Sequence, residues 1–120
     1  MAIPSRVLGS GVNSLSTVSI CGDGINNITA AGTSAGDATQ LTYVYNSIVT
    51  TPVNSGVKLP NCEMGATIFV ANTGAHTVKI YPQDGNTINQ TTSATVAQNH
   101  TSLFFAVSNT EWYNLNGAHS

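Results

Sequence analysis

The chain alternates apolar and polar residues in short stretches, with turn-forming residues between them. In HTVKIYP, His76, Val78 and Ile80 fall on one side and Thr77, Lys79 and Tyr81 on the other. A period of two belongs to a half-buried strand, and antiparallel sheets are where one-sided burial is commonest. ATIFVAN sets Ile68 and Val70 against Thr67, Phe69 and Ala71 in the same way. Between the two, Asn72-Thr73-Gly74 predicts a hairpin turn, with Gly74 supplying a positive φ. Asp84-Gly85 predicts the next turn, within PQDGN.

The rest of the chain reads similarly. SLSTVSIC, Ser14–Cys21, predicts a short strand, CGDGINN a turn and INNITAAGT another short strand. TSAGDATQ predicts a loop, with at most one helical turn around Ala35–Thr39. TQLTYVYNSIVTTP predicts a strand with Leu41, Tyr43 and Tyr45 on one face, bent at Asn46-Ser47 and stopped by Pro52. VNSG is a turn, and GVKLP is a short strand ended by Pro60. NTIN and SATVAQ follow, the latter with Ala94 and Val96 on one face, and Asn99-His100 turns. SLFFAVS is the most hydrophobic strand. Its Leu103, Phe105 and Val107 are expected to face the core, with Phe104 and Ala106 opposite. Apolar residues on both faces point to a central strand or a covered outer face. Asn109-Thr110 turns and EWYNL closes the chain. No helix, internal repeat or dividing linker is visible. The pattern predicts an all-β fold, an antiparallel β-sandwich or jelly-roll-like barrel. Residues 1–12 read as an extended N-terminal arm and 13–120 as a single domain.

Composition changes this picture mainly through charge. Only 7% of the 120 residues are charged, against about 25% in ordinary soluble domains. The cations are Arg6, Lys58 and Lys79, the carboxylates Asp23, Asp37, Glu63, Asp84 and Glu111, and the formal net charge is −2. Such a surface offers little electrostatic repulsion between copies, and neutral hydroxyls and amides are cheaper to bury than charges. It suits permanent assembly. Nucleic acid is disfavoured as a partner, because releasing counterions from phosphates needs clustered Lys or Arg. No apolar run reaches the roughly 20 residues of a membrane-spanning helix. The N-terminal MAIPSRVLGSG lacks the basic head and apolar core of a signal peptide.

Candidate chemistry is sparse. His76, Lys79 and Asp84 lie close in sequence, but strand alternation separates His76 from Lys79, and Asp84 belongs to a turn. A hydrolytic triad needs a nucleophile, a base and an orienting acid; no GxSxG occurs, and His76, His100 and His119 read as structural. The carboxylates are too dispersed for a glycosidase pair, and Asp23-Gly24 and Asp84-Gly85 read as turn chemistry. DGINN lacks the ligand spacing of an EF-hand loop. Cys21 and Cys62 have no zinc-like spacing with the histidines. They are read as free thiols, or as a bridge if the strands carrying them come within bonding distance. The three sequons, at Asn27, Asn89 and Asn99, are expected by chance in a chain rich in Asn and Thr. Trp112 with Tyr113 is either a sugar-stacking pair or a buried ring at the core or a subunit interface. No catalytic residue, cofactor site or metal site is expected, and the chain is not read as an enzyme.

The series GVKLP, GATIFVANTGAHTVKIYPQDGNTIN and SLFFAVSNTEWYNL resembles a pattern in small structural proteins of tailed bacteriophages. These show a GV-x-LP strand, a YP-x-x-G turn, a TIN segment and a closing strand followed by a W-Y pair. The resemblance spans Gly56 to Leu115. The N-terminal MAIPSRVLGSGVNSLSTVSICGDG resembles the start of a head decoration (cement) protein. This implies a virion protein on the outer surface of the capsid, binding the major capsid protein and itself as a homotrimer, with no nucleic acid or membrane partner. The arm residues Ile3, Pro4, Arg6, Val7 and Leu8 are then candidates for capsid binding, and Trp112 and Tyr113 for an interface or a glycan. The other reading is a tail, neck or fibre-associated structural or carbohydrate-binding module.

Overall fold

The computed structural model describes Gly11 and residues 22–118. The expected arm apart from Gly11, the Ser14–Cys21 strand, Cys21 and His119 lie outside the described residues.

Ten strands follow in order: β1 (Gly24–Thr29), β2 (Thr39–Gln40), β3 (Tyr45–Thr50), β4 (Gly56–Lys58), β5 (Thr67–Asn72), β6 (Val78–Tyr81), β7 (Thr87–Ile88), β8 (Ala94–Val96), β9 (His100–Ala106) and β10 (Glu111–Ala118). There is no helix among the described residues, so the all-β expectation holds. The strands form a six-stranded sheet, β1-β3-β5-β9-β10-β7, and a four-stranded sheet, β2-β4-β6-β8.

The antiparallel arrangement does not hold throughout. β1 pairs parallel with β3, and β3 with β5; β2 pairs parallel with β4, and β4 with β6. The chain therefore alternates between the sheets and stacks each pass on the last, in the manner of a solenoid. Only β8, β9 and β10 add antiparallel pairs. Alternating burial looks the same in a parallel and an antiparallel strand, so periodicity could not separate them. Stacked passes advance unevenly, from Gly24 to Tyr45 to Phe69. That unevenness leaves no fixed period in the sequence.

Three local expectations change as a consequence. β5 and β6 lie in different sheets, so Asn72-Thr73-Gly74 is a corner and not a hairpin. Gly74 has no positive φ; it is required because a Cβ there would overlap the Thr51 side chain. Thr39–Thr51 is two strands, β2 in one sheet and β3 in the other. Leu41 consequently faces the core while Tyr45 faces outward against Phe69. In β9, Ser102, Phe104 and Ala106 point inward, whereas Phe105 and Val107 are exposed. Both faces of that stretch are apolar, so its own pattern could not choose. The register with Ile68 and Val70 on β5 chooses.

Other turns fall where expected. Asn86 N–H donates to the Gln83 carbonyl across Asp84-Gly85, with Gly85 at φ 84. Ser55 N–H closes on Pro52 after β3. The turn expected at Asp23-Gly24 is not formed: Gly24 opens β1, and Gly22 before it has a positive φ of 82. Asn89-Gln90 forms an unexpected tight turn. Both residues have positive φ, and Ile88 and Thr91 exchange backbone hydrogen bonds across it, as in a type I′ turn.

The core lies between the sheets. The six-stranded sheet contributes Ile28, Ile48, Ile68, Val70, Ile88, Phe104 and Trp112; the four-stranded sheet contributes Val57, Val78, Ile80 and Val96, with Leu41 and Leu59 just beyond its strands. Asn72, with no exposed surface, makes the β5 corner possible. Its Nδ2 donates to the carbonyls of His76 (2.9 Å) and Val96 (2.8 Å), and its Oδ1 accepts from Gly74 N–H (2.9 Å). A side chain here supplies the hydrogen bonds that a change of sheet removes from the backbone.

Candidate interaction surface

The polar residues singled out from sequence serve the fold. His76 N–H donates to Thr51 Oγ1, and its Nδ1 lies 2.9 Å from the Thr51 carbonyl. A carbonyl only accepts, so Nδ1 carries the proton and the ring ties the β5–β6 corner to the end of β3. Lys79 is exposed on β6, and Asp84 sits in the turn beyond Pro82. Among the described residues, no group of three or more His, Cys, Asp or Glu side chains is placed to hold a metal ion.

Asp37 closes the loop between β1 and β2. Its Oδ1 accepts from Thr33 N–H (3.1 Å), Ser34 N–H (2.9 Å) and Ser34 Oγ (3.0 Å). These bonds, the Ser34 backbone bond foremost, hold its pKa below the usual carboxylate value. Cys62 is a buried free thiol that donates to the Ser108 carbonyl at 3.2 Å. Burial pushes its pKa up, so it stays protonated.

Trp112 and Tyr113 alternate along β10 and part company. Trp112 is completely buried and offers no face to a sugar. Tyr113 lies half-buried on the outer side, its ring 6.3 Å from that of Phe105. The candidate pair is thus one core residue and one surface residue. The arm candidates Ile3, Pro4, Arg6, Val7 and Leu8 lie outside the described residues.

What the sequence reading missed is the outward face of the six-stranded sheet. Strand register aligns its side chains in three rows. Tyr45, Phe69, Leu103 and Leu115 form the middle row across β3, β5, β9 and β10. On one side, Phe105 and Tyr113 face each other across β9 and β10. On the other, Ser47, Ala71, Thr101 and Gly117 form a row of small residues. On β9 and β10 the first two rows make an apolar ridge of Leu103, Phe105, Tyr113 and Leu115; Phe105 is 37% exposed and Leu115 67%. Beside the ridge, the small row lets the surface sink into an open groove of about 680 Å³, walled by Ile25, Tyr45 and Phe69. The rings of Tyr45 and Phe69 stack at 5.0 Å.

This face is almost free of charge. Lys58 and Lys79 belong to the other sheet, and the one carboxylate on the outward rows is Glu111 at the start of β10, bonded by the Tyr113 hydroxyl. The apolar members of both faces of SLFFAVS were visible in the sequence. Their alignment with Tyr45, Phe69 and Leu115 follows only from strand order. The arrangement is suited to burying apolar area against another surface.

No protein-family model, curated protein or solved structure matches the chain.

Proposed function

We propose that this chain is a non-enzymatic structural protein of a tailed-phage virion, of the capsid decoration (cement) type. It binds the outside of the head, contacts the major capsid protein and stabilises capsid subunits as a homotrimer. The observation that carries this reading is a broad apolar outward face, nearly without charge, on a chain in which 7% of residues are charged. A surface of this kind works by binding energy. The resemblance of Gly56 to Leu115 to phage structural proteins supports the same class, and the two facing sheets take the place of its sandwich. The arm, through Ile3, Pro4, Arg6, Val7 and Leu8, adds a strand to a capsid sheet edge, where main-chain hydrogen bonds make few demands on sequence. Three copies acting together turn weak contacts into firm attachment.

Quantitative mass spectrometry of purified virions tests the reading. Many copies per head are expected; absence, or a few copies confined to the tail, overturns it. Removing residues 1–12 is expected to weaken head binding while leaving the circular dichroism spectrum unchanged. Full binding by the truncated protein would refute the role of the arm.

A further inference from the structure

We propose that the outward face of the six-stranded sheet is the surface on which copies of this chain pair with one another. Two copies meeting through the same face form a two-fold contact, so this goes beyond the threefold association in the reading above, and it does not depend on capsid binding.

Two observations choose a second copy as the occupant. The first is shape. The face carries a ridge, Leu103, Phe105, Tyr113 and Leu115, beside a groove floored by the small residues Ser47 and Ala71. The ridge lies on β9 and β10 and the groove along β1, β3 and β5, side by side across the sheet. Two such faces related by a two-fold axis along the strands place each ridge over the other's groove, which is the reciprocal fit of a two-fold contact. The second is charge. Symmetry brings equivalent residues of the copies close together, so a charge near the centre of the contact meets its own like. The described cations Lys58 and Lys79 are on the opposite sheet, and Glu111 is at the start of β10, at the margin of the face. A partner of opposite charge would have nothing here to recognise, whereas a neutral copy of the same face has nothing to repel it.

The four-stranded sheet provides the contrast within the same molecule. Its outward positions include Lys79 and Thr95, paired across β6 and β8, and both are exposed. Two such faces brought together would bury Lys79 ammonium groups without counter-charges.

The test is the mass of the purified full-length chain by light scattering and analytical ultracentrifugation, with no capsid present. The wild type is expected to be an oligomer. Leu115→Lys replaces a side chain already 67% exposed, so the fold is retained. It is expected to weaken association by at least about tenfold, the equivalent of roughly 1.4 kcal/mol. Lys79→Ala is expected to keep the wild-type mass. Phe105→Ser provides a second break in the ridge, with circular dichroism as the check on folding. A wild type that is monomeric at its highest soluble concentration overturns the proposal. So does a folded Leu115→Lys chain with undiminished association. A monomeric wild type whose capsid binding is lost in Leu115→Lys would assign the face to the capsid instead. An oligomer that fails to bind heads would leave the pairing intact and remove the decoration reading.

Discussion

The two ends of this fold are built on different rules. From β1 to β6 the chain passes between sheets and every neighbouring pair within a sheet is parallel. The pairs β6–β8, β5–β9 and β9–β10 are antiparallel, β10 also holds the short β7 in parallel, and β9 and β10 run together without interruption from Ala106–Trp112 to His100–Ala118. A hairpin satisfies its backbone from its own neighbour. A strand that leaves its sheet needs help at the corner, and here side chains give it. Asn72, Thr51 and His76 bridge the β5–β6 corner. Asn46, also buried, donates to the carbonyls of Tyr43 and Phe69. The stacked part therefore adds particular polar side chains at its corners to an apolar core that both parts share.

That contrast can be broken most forcefully in the hairpin's core. Trp112→Ala removes a fully buried ring packed beneath β10 and is expected to cost about 3–5 kcal/mol, measured by urea unfolding. The neighbouring Tyr113→Ala, on the outward face, should cost much less. Equal losses would mean that the two rings are not divided between core and surface.

Asn72→Leu tests the corner. The substitution keeps the volume roughly constant and adds apolar surface, so a purely hydrophobic account predicts little loss. Three partners would instead lose their bond: Gly74 N–H and the Val96 carbonyl, both buried, and the part-buried His76 carbonyl. The expected loss is about 3 kcal/mol. Asn116→Ala, exposed on β10, is expected to change stability by no more than about 0.5 kcal/mol. A neutral Asn72→Leu would remove the distinction between the two regions.

The smallest expected effect is local and belongs to the loop before β2. Asp37 has a lowered pKa because backbone and hydroxyl groups of Ser34 bond to its carboxylate. The ionised form is therefore the one the folded loop prefers. Its contribution is complete above the ordinary carboxylate pKa and fades as pH falls through Asp37's own, lower value. Amide exchange at Thr33 and Ser34 should rise relative to the core as that lower pKa is crossed. In Asp37→Asn the extra pH dependence should vanish. Persistence in that variant would trace it to another group.

Much of the fold was legible along the chain because burial in a strand follows a simple rule. Ile68, Val70, Val78 and Ile80 are inward as alternation requires, and Asp84-Gly85 turns as its residue types dictate. SLFFAVS defeated the same rule because it offers apolar residues to both sides. TQLTYVYNSIVTTP defeated it because a strand that changes sheet resets which side is inward. The candidate surface was hidden for a related reason: Phe69, Phe105 and Leu115 each look like an isolated exception until strand order sets them side by side.

By itself the sequence determined an all-β chain, the places of several strands and turns, and a nearly uncharged surface, since these depend on side-chain type and near neighbours. Tertiary structure decided that the first six strands stack in parallel, that Asn72 and Gly74 make a corner, and that an apolar ridge lies beside a groove on the outward face. Those outcomes depend on pairings between residues distant in sequence. Local alternation records whether a residue is buried, but not which strand it is buried beside.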